Sequence, residues 1–505
     1  MKSMLAVAQL ISRQKLRKID VLTEDVLNAK NSKFRELYVG LRDGTIRSDR
    51  EAALKLYDAG PSDARYRQLK SRFRKRLLNT LFFVDQSRPH RSSFDQTYHN
   101  CQRDWSLINI LRVNGAEDPA LQMTKSLLTV CLNYGFSELT VQTARFLANH
   151  AADIGDVKSG AQLQDIITTA NKTYQVEIQS ESILRRAQLL FHSTYSESNH
   201  AEIEQGVAQL QQEIDETLSA TKSAMLFYNH LETSCILART LSDKKRVISL
   251  VEDVIAYSME APRQLQENRV WKLCTWRLEA FIEQKDKTQG LEAVFHLEGR
   301  CKVGSEEWFG VQKHHIALML GVGEYSEALR IAQSAQNHRN FRRIAPQEAE
   351  AFRLLELLAI CFDQKMGNSS RYAHTSTVEA FLRKDATFGR DLQGLNAWRY
   401  LLKATLQHML DKQTELRETI AAFRHLSVKH LNAKQDTRLI AMSQLLYRLE
   451  RKHFRGELDR VGERYFNQLQ MTIFHCSLRS DSFSPINVED MLAFFGVNEF
   501  AALPQ

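Results

Sequence analysis

Proline and glycine are scarce in this chain. They number 7 and 20 among 505 residues, roughly 1.4% and 4% where a typical protein carries about 5% and 7%. Proline removes a donor and clashes inside a helix, and glycine weakens helices and strands alike. An all-β or alternating βαβ chain would need many more turn residues. The shortage excludes neither disorder nor helix by itself, but 43% hydrophobic and 25% charged residues are ordinary for a folded chain. Long helices joined by short connections are what remain.

Other absences narrow the chemistry. The seven cysteines (101, 131, 235, 274, 301, 361 and 476) stand singly, with no CxxC pair. That pattern reads as reduced, buried thiols and a cytoplasmic location. No apolar run approaches the roughly 18–20 residues that span a bilayer, so no membrane is expected among the partners. Met1 to Ile11 hold a short apolar stretch followed by Arg13, Lys15, Arg17 and Lys18, which reads as an amphipathic first helix rather than a cleaved leader. No HExxH, phosphate-binding loop or Gly-x-Ser-x-Gly elbow is present, and Gly321-Val322-Gly323 has neither a third glycine nor a preceding strand. His90, His99 and Cys101 lack metal-ligand spacing, and the adjacent His314 and His315 point to different faces of a helix. No catalytic residue, metal site or cofactor is assigned, and the carboxylates read as solvated i,i+4 partners of Lys and Arg.

What is present is helical periodicity. Leu121, Leu128 and Leu132, then Leu139, Ala144, Leu147 and Ala148, form two apolar stripes broken at Tyr134-Gly135-Phe136, the mark of an αα-hairpin. Polar breaks recur near Gly155, Asn199, Asp243, Lys285, Gly323, Gly367, Lys412 and Phe454, at steps of 38 to 45 residues. Each step has room for two helices of about 15–20 residues and their turns, the unit of a helical solenoid.

One such break carries a family signal. The run Gly323-Glu324-Tyr325-Ser326-Glu327-Ala328-Leu329, continuing to Ala332 and Ala335, resembles the middle of a tetratricopeptide repeat. Gly323, Tyr325, Ala328 and Ala335 match the glycine, aromatic and small positions of that repeat. Glycine permits the tight turn, and alanines let helix backbones approach. The closing proline and the first-helix Trp and Leu-Gly positions are missing, and the spacing near 43 exceeds the usual 34, so the repeats are divergent or of a related helical class. It implies protein or peptide binding and names no partner.

The two ends differ from the middle. Residues 1–100 carry 21 Lys+Arg and 11 Asp+Glu, so the whole excess behind the net charge of +8 lies in the first fifth. Its densest part is Arg65, Arg67, Lys70, Arg72, Arg74, Lys75 and Arg76, opened by the turn Gly60-Pro61-Ser62-Asp63 and preceded by a capping box at Ser48-Asp49-Arg50-Glu51. Two helices around a short turn suggest a helix-turn-helix with its second helix in a DNA groove. On a helical wheel Tyr66, Leu69, Phe73 and Leu77 form the buried stripe and the cations flank both sides, as on any solvated amphipathic helix. Three readings stay open: a solvated face, a surface for an acidic protein, and a nucleic-acid contact. After Thr472 the stripe yields to a serine-rich loop, then a short apolar helix from Val488 to Phe495 capped by Asn487 or Ser484.

The expected architecture is therefore all-α. A basic helical module (1–95) precedes an α-solenoid of stacked antiparallel helix pairs (96–471) and a C-terminal loop with a short capping helix (472–505). Trp271, Trp276, Trp308, Phe309, Trp398 and Tyr400 read mainly as core between repeats, with a peptide groove as the other option. The expected function is a protein-interaction scaffold; the alternative is a regulator that touches nucleic acid through its basic module.

Overall fold

The computed structural model describes residues 32–42, 45–46, 48–81, 93–193, 200–221, 223–260, 266–367, 375–383, 392–432, 436–454, 458–472, 474–479 and 482–497. Residues 1–31, His90 and Asn199, on which expectations were placed, lie outside them. Among the described residues the chain is all-helical. The only β element there is an isolated antiparallel bridge between Ser477 and Ser484. The chain divides into two compact units, 1–130 and 131–505.

The first unit holds α1 (Lys33–Arg42), α2 (Asp49–Tyr57), α3 (Ala64–Leu81), α4 (Ser93–Val113) and most of α5 (Glu117–Tyr134). Ser48 caps α2, its hydroxyl accepting from the Glu51 amide at 3.2 Å, and Asp58 ends it in the left-handed region. Asp63 caps α3 by accepting from the Arg65 and Tyr66 amides at 2.8 and 3.3 Å. The stripe Tyr66, Leu69 and Phe73 is buried against Leu37, Ile46, Ala52, Ala53 and Leu56, so helices α1 to α3 share one small core.

The second unit continues with α6 (Ser137–Asp153), α7 (Val157–Ser193), α8 (His200–Ala220), α9 (Ala224–Thr240), α10 (Lys244–Glu260), α11 (Glu267–Gln284), α12 (Lys287–Glu298), α13 (Glu306–Gly321), α14 (Tyr325–Asn337), α15 (Pro346–Lys365), α16 (Thr375–Arg383), α17 (Gln393–Met409), α18 (Gln413–Lys429), α19 (Thr437–Arg451) and α20 (Arg460–Met471). From α9 onward the helices come in pairs. The first helices begin at residues 224, 267, 306, 346, 393 and 437, steps of 39 to 47 residues. Consecutive first helices α9, α11, α13, α15 and α17 also touch one another, so they make a row. The turns inside the pairs fall where the sequence breaks do: Ser242, Lys285, Gly323, Gly367, Asp411 and Phe454 all adopt positive φ. That conformation reverses the chain in few residues and satisfies the last helical carbonyls. Gly323, at φ +83°, sits where a side chain would be strained.

One interval departs from the expected pattern. Between Gly155 and Asn199 the chain makes a single 37-residue helix, α7, rather than two. After Gly160 that segment contains neither glycine nor proline, so nothing breaks it. Its middle lies beside α6 and α9, because Glu177 accepts from Ser137 and Ser223. Its last turns pack on α8 and α9 through Ile183, Ala187, Ile203, Val207, Ile236 and Leu237.

The C-terminal segment returns over the row of first helices. Its last element, the expected short apolar helix Val488–Phe495, is a 3-10 helix, wound more tightly than an α-helix and rising about 2.0 Å per residue against 1.5. Asn487 caps it, accepting from the Glu489 amide, and Gly496 closes it at φ +79°. Val488, Met491, Leu492 and Phe495 are buried. Among the described residues no helix is long and apolar enough to cross a membrane.

Candidate functional site

Buried ion pairs stitch the first helices together. Glu232 of α9 meets Arg269 and Lys272 of α11 at 2.9 and 2.5 Å. Arg239 of α9 meets Glu279 of α11 at 2.7 Å, and Glu279 also faces His314 of α13 at 3.5 Å. Lys313 of α13 meets Glu348 of α15 at 2.5 Å, and Glu350 of α15 pairs with Arg399 of α17. Burial pushes the Glu232 and Glu279 carboxyls up, but the cations facing them outweigh it and hold both below the usual carboxylate range. The usual reading of helix carboxylates as solvated i,i+4 partners does not extend to these residues. The signal that could have revealed them is their spacing: partners lie 35 to 49 residues apart, about one helix pair.

The same row holds an extended polypeptide, the chain's own C-terminal segment, by its backbone. Glu283 of α11 accepts from the Cys476 amide at 2.9 Å. Lys313 donates to the Leu478 carbonyl at 2.9 Å. Arg438 of α19 donates to the Leu469 and Thr472 carbonyls and to Asn487, and pairs with Glu489 at 3.3 Å. Burial lowers the Arg438 guanidinium while Glu489 and Asp490 oppose that. Apolar side chains lock the segment between these polar contacts. Phe483 stands edge-on to Trp398, Phe494 meets Phe362, and Phe495 lies beside His408 and Phe454.

Beside this strap lies a cleft of about 820 Å³. Its walls are the last turns of α7, the faces of α9 and α11, the start of α19, and the strap at 475–477 and 482–484. Its floor is aromatic and cationic: Arg239 lies over the Trp276 ring at 5.1 Å, Lys272 over the same ring at 4.8 Å, and Phe191 stands 5.5 Å from the His475 ring. Leu189, on the rim, is 70% exposed. A second depression of about 620 Å³ between α14, α15 and α16 is lined largely by polar groups, among them Gln336, which donates to Glu356 at 2.7 Å. Among the described residues no three His, Cys, Asp or Glu side chains converge as a metal ion would need.

The basic helix divides into engaged and unengaged cations. Arg65 pairs with Asp63 at 3.0 Å, holding that carboxyl down to about 2, and Lys70 pairs with Asp49 at 2.7 Å. Arg76 lies over the Phe34 ring at 4.7 Å. Arg67, Arg72, Arg74 and Lys75 are exposed, and no ion pair is formed by them among the described residues. Arg67 and Arg74 stand on one flank of the buried stripe, Arg72 on the other and Lys75 opposite it.

The repeat-like run takes structural positions: Ala328 and Ala335 are buried, and Tyr325 stacks on Phe362 at 5.1 Å. Of the aromatics singled out, Trp398 and Phe309 are buried core, while Trp271, Trp308 and Tyr400 are partly buried against it. Trp276 alone among these six lines the cleft. Sequence reasoning gave no hint of Arg185, Leu189, Arg239, Lys272 or Arg438, since nothing local marks a residue that meets others only across helix pairs. No protein-family model matches the chain, and no curated protein or solved structure does.

Proposed function

We propose that this chain is a non-catalytic protein-interaction scaffold, a divergent tetratricopeptide-like solenoid that holds a segment of a partner protein in the cleft beside its C-terminal strap. One observation carries the reading: the first helices already bind an extended polypeptide, the strap, with Glu283, Lys313 and Arg438 directed at its backbone or capping groups. Side chains that bond main-chain groups accept many sequences, and pockets alongside then select among them. The adjoining 820 Å³ cleft, part apolar and part charged, is such a pocket. The scattered cysteines, six of the seven buried, agree with work in the reducing cytoplasm.

The test is selection from a displayed library of random 12-residue peptides on the full chain and on Leu189→Asp, which puts a carboxylate on the apolar rim. Peptides enriched on the parent and lost on the variant support the cleft. No enrichment, or enrichment indifferent to Leu189→Asp, contradicts it.

A second reading rests on a separate observation. Arg67, Arg72, Arg74 and Lys75 of α3 are exposed on the third helix of a compact helical core, as a phosphate-contacting surface would require. Its signature is a duplex-DNA affinity that falls steeply with salt.

A further inference from the structure

The turn between α14 and α15 is built in columns. The Phe341, Arg343 and Ile344 amides donate to the His338, Asn340 and Phe341 carbonyls, which winds residues 338–344 as a 3-10 coil. In such a coil every third side chain falls on one side. His338, Phe341 and Ile344 make the inward column. The His338 ring lies 5.4 Å from Trp308 and 5.9 Å from Phe309, the Phe341 ring lies 5.8 Å from Phe309 and 5.4 Å from Phe352, and Ile344 rests on the same core. Asn340 faces the neighbouring turn, 299–305, and donates to the Gly304 carbonyl at 3.0 Å. Gly304 permits that approach, since a Cβ there would collide with the His338 ring. The two turns are clamped together by these contacts.

The remaining positions hold cations. Arg339 and Arg342 share one column, about 6 Å apart along the coil. Arg343 shares the column of Asn340, on the side of the 299–305 turn, which carries Lys302. All four are exposed, and their side chains form no hydrogen bond or ion pair among the described residues. Neither turn contains Asp or Glu. The flanking acids are placed otherwise: Gln312 donates to Glu298, Lys313 meets Glu348, and Glu306 and Glu307 open α13, where a helix N-terminus favours them.

From this arrangement we infer that the 338–343 turn receives a phosphorylated side chain of a partner protein, its phosphomonoester meeting Arg339, Arg342 and Arg343 with Lys302 beside them. The site is separate from the cleft and does not depend on it. The inward anchors fix the turn before any partner arrives, so little freedom is lost on binding. Arginine's planar fork takes two phosphate oxygens at once. A phosphomonoester brings nearly two charges and three oxygens, which suits a cluster, whereas a carboxylate brings one charge that a single guanidinium satisfies. Compact arginine clusters are a recurring means of recognising phosphorylated motifs. A nucleic-acid backbone is the poorer match. It is bound through many single charges along a strand, and these four cations are confined to two adjoining turns. His338 and Phe341 are turned inward, so neither ring is open to stack a base.

The test uses the full chain and three fluorescein-labelled probes: a degenerate 12-residue peptide pool with phosphoserine fixed at its centre, the same pool with serine there, and a 12-base-pair DNA duplex. Anisotropy at 150 mM NaCl is expected to show the phosphorylated pool binding at least ~10-fold tighter than the serine pool. The triple variant Arg339→Gln/Arg342→Gln/Arg343→Gln should abolish that advantage and leave the melting temperature unchanged, because exposed, unpaired cations contribute little to stability. Leu189→Asp should leave the advantage intact, which keeps this result distinct from that of the cleft. Equal binding of the two pools overturns the inference, as does an advantage that survives the triple variant or one that Leu189→Asp removes. Duplex DNA that binds as tightly as the phosphorylated pool, and is lost in the triple variant, overturns it in favour of nucleic acid.

Discussion

The Lys313 ammonium, on a side chain only 7% exposed, donates at 2.9 Å to the carbonyl of Leu478, 165 residues further along the chain. The same nitrogen meets Glu348 at 2.5 Å. One buried cation therefore joins α13, α15 and the C-terminal strap. Replacing it with methionine keeps the length and removes the charge, leaving a carbonyl and a carboxylate short of their partner. Lys313→Met should lower stability by about 3 kcal/mol, the low end of what breaking a buried pair costs, seen as a fall in the urea midpoint. An unchanged midpoint would mean that the strap is not held there.

The strap should also be part of the fold rather than a dispensable tail. Val488, Met491, Leu492 and Phe495 are buried, and each such side chain contributes roughly 1.5–3 kcal/mol, against a total stability of about 5–15 kcal/mol for a typical protein. Deleting residues 484–505 should lower the melting temperature by roughly 10 °C or more and promote aggregation, as Phe362 and Phe454 lose the cover of Phe494 and Phe495. A truncated chain that melts with the parent would contradict this.

Glu177 makes a pH-dependent prediction. Burial raises its carboxyl above the ordinary 4.5, the Ser223 and Ser137 hydroxyls oppose that in part, and Glu181 adds to it. A carboxyl raised in the folded state contributes stability that is complete below the unfolded pKa and is lost as pH rises through the folded one. Glu177→Gln keeps an acceptor for both hydroxyls and carries no charge. The variant should therefore be the more stable protein at pH 8, and its advantage should shrink toward zero as pH falls to 4. Melting curves across that range check the sign; a variant that is less stable at pH 8, or an advantage that grows on acidification, would rule the account out.

The basic helix is expected to be a solvated face. Changing Arg67, Arg72, Arg74 and Lys75 to Gln together should leave the melting temperature unchanged, because these exposed side chains have no ion pair among the described residues. In a titration against duplex DNA at 150 mM salt, parent and quadruple variant should bind equally weakly. A parent that binds tightly, with a salt slope that the variant flattens by about one unit per lost contact, would establish the nucleic-acid reading instead. Lys70 belongs outside the set, since its pair with Asp49 ties it to α2.

How much of this was legible in the sequence follows from how local each signal is. Helix content, the turns at Asp243, Lys285, Gly323, Gly367, Lys412 and Phe454, the caps at Ser48 and Asn487, and the buried stripe of Tyr66, Leu69 and Phe73 all depend on a few neighbouring residues, and all could be read. The single long α7 was missed because a spacing argument assumed two helices where no breaker exists. The ion pairs of Glu232, Glu279 and Glu350, and the meeting of Arg185, Trp276 and Arg438 at one cleft, depend on which helix faces which. No local pattern encodes that. The strap was legible as an apolar segment in need of cover, and its path along Glu283, Lys313 and Arg438 was not.

The most direct test of the central claim is a photo-cross-link. A 12-residue peptide selected on the full chain and carrying a diazirine at its middle residue is irradiated with that chain, and the adducts are mapped by mass spectrometry. Capture in the cleft predicts adducts within 185–192, 236–239, 272–279 or 474–484, and their loss in Leu189→Asp. Adducts confined to α3, or spread over the surface and indifferent to Leu189→Asp, would contradict it.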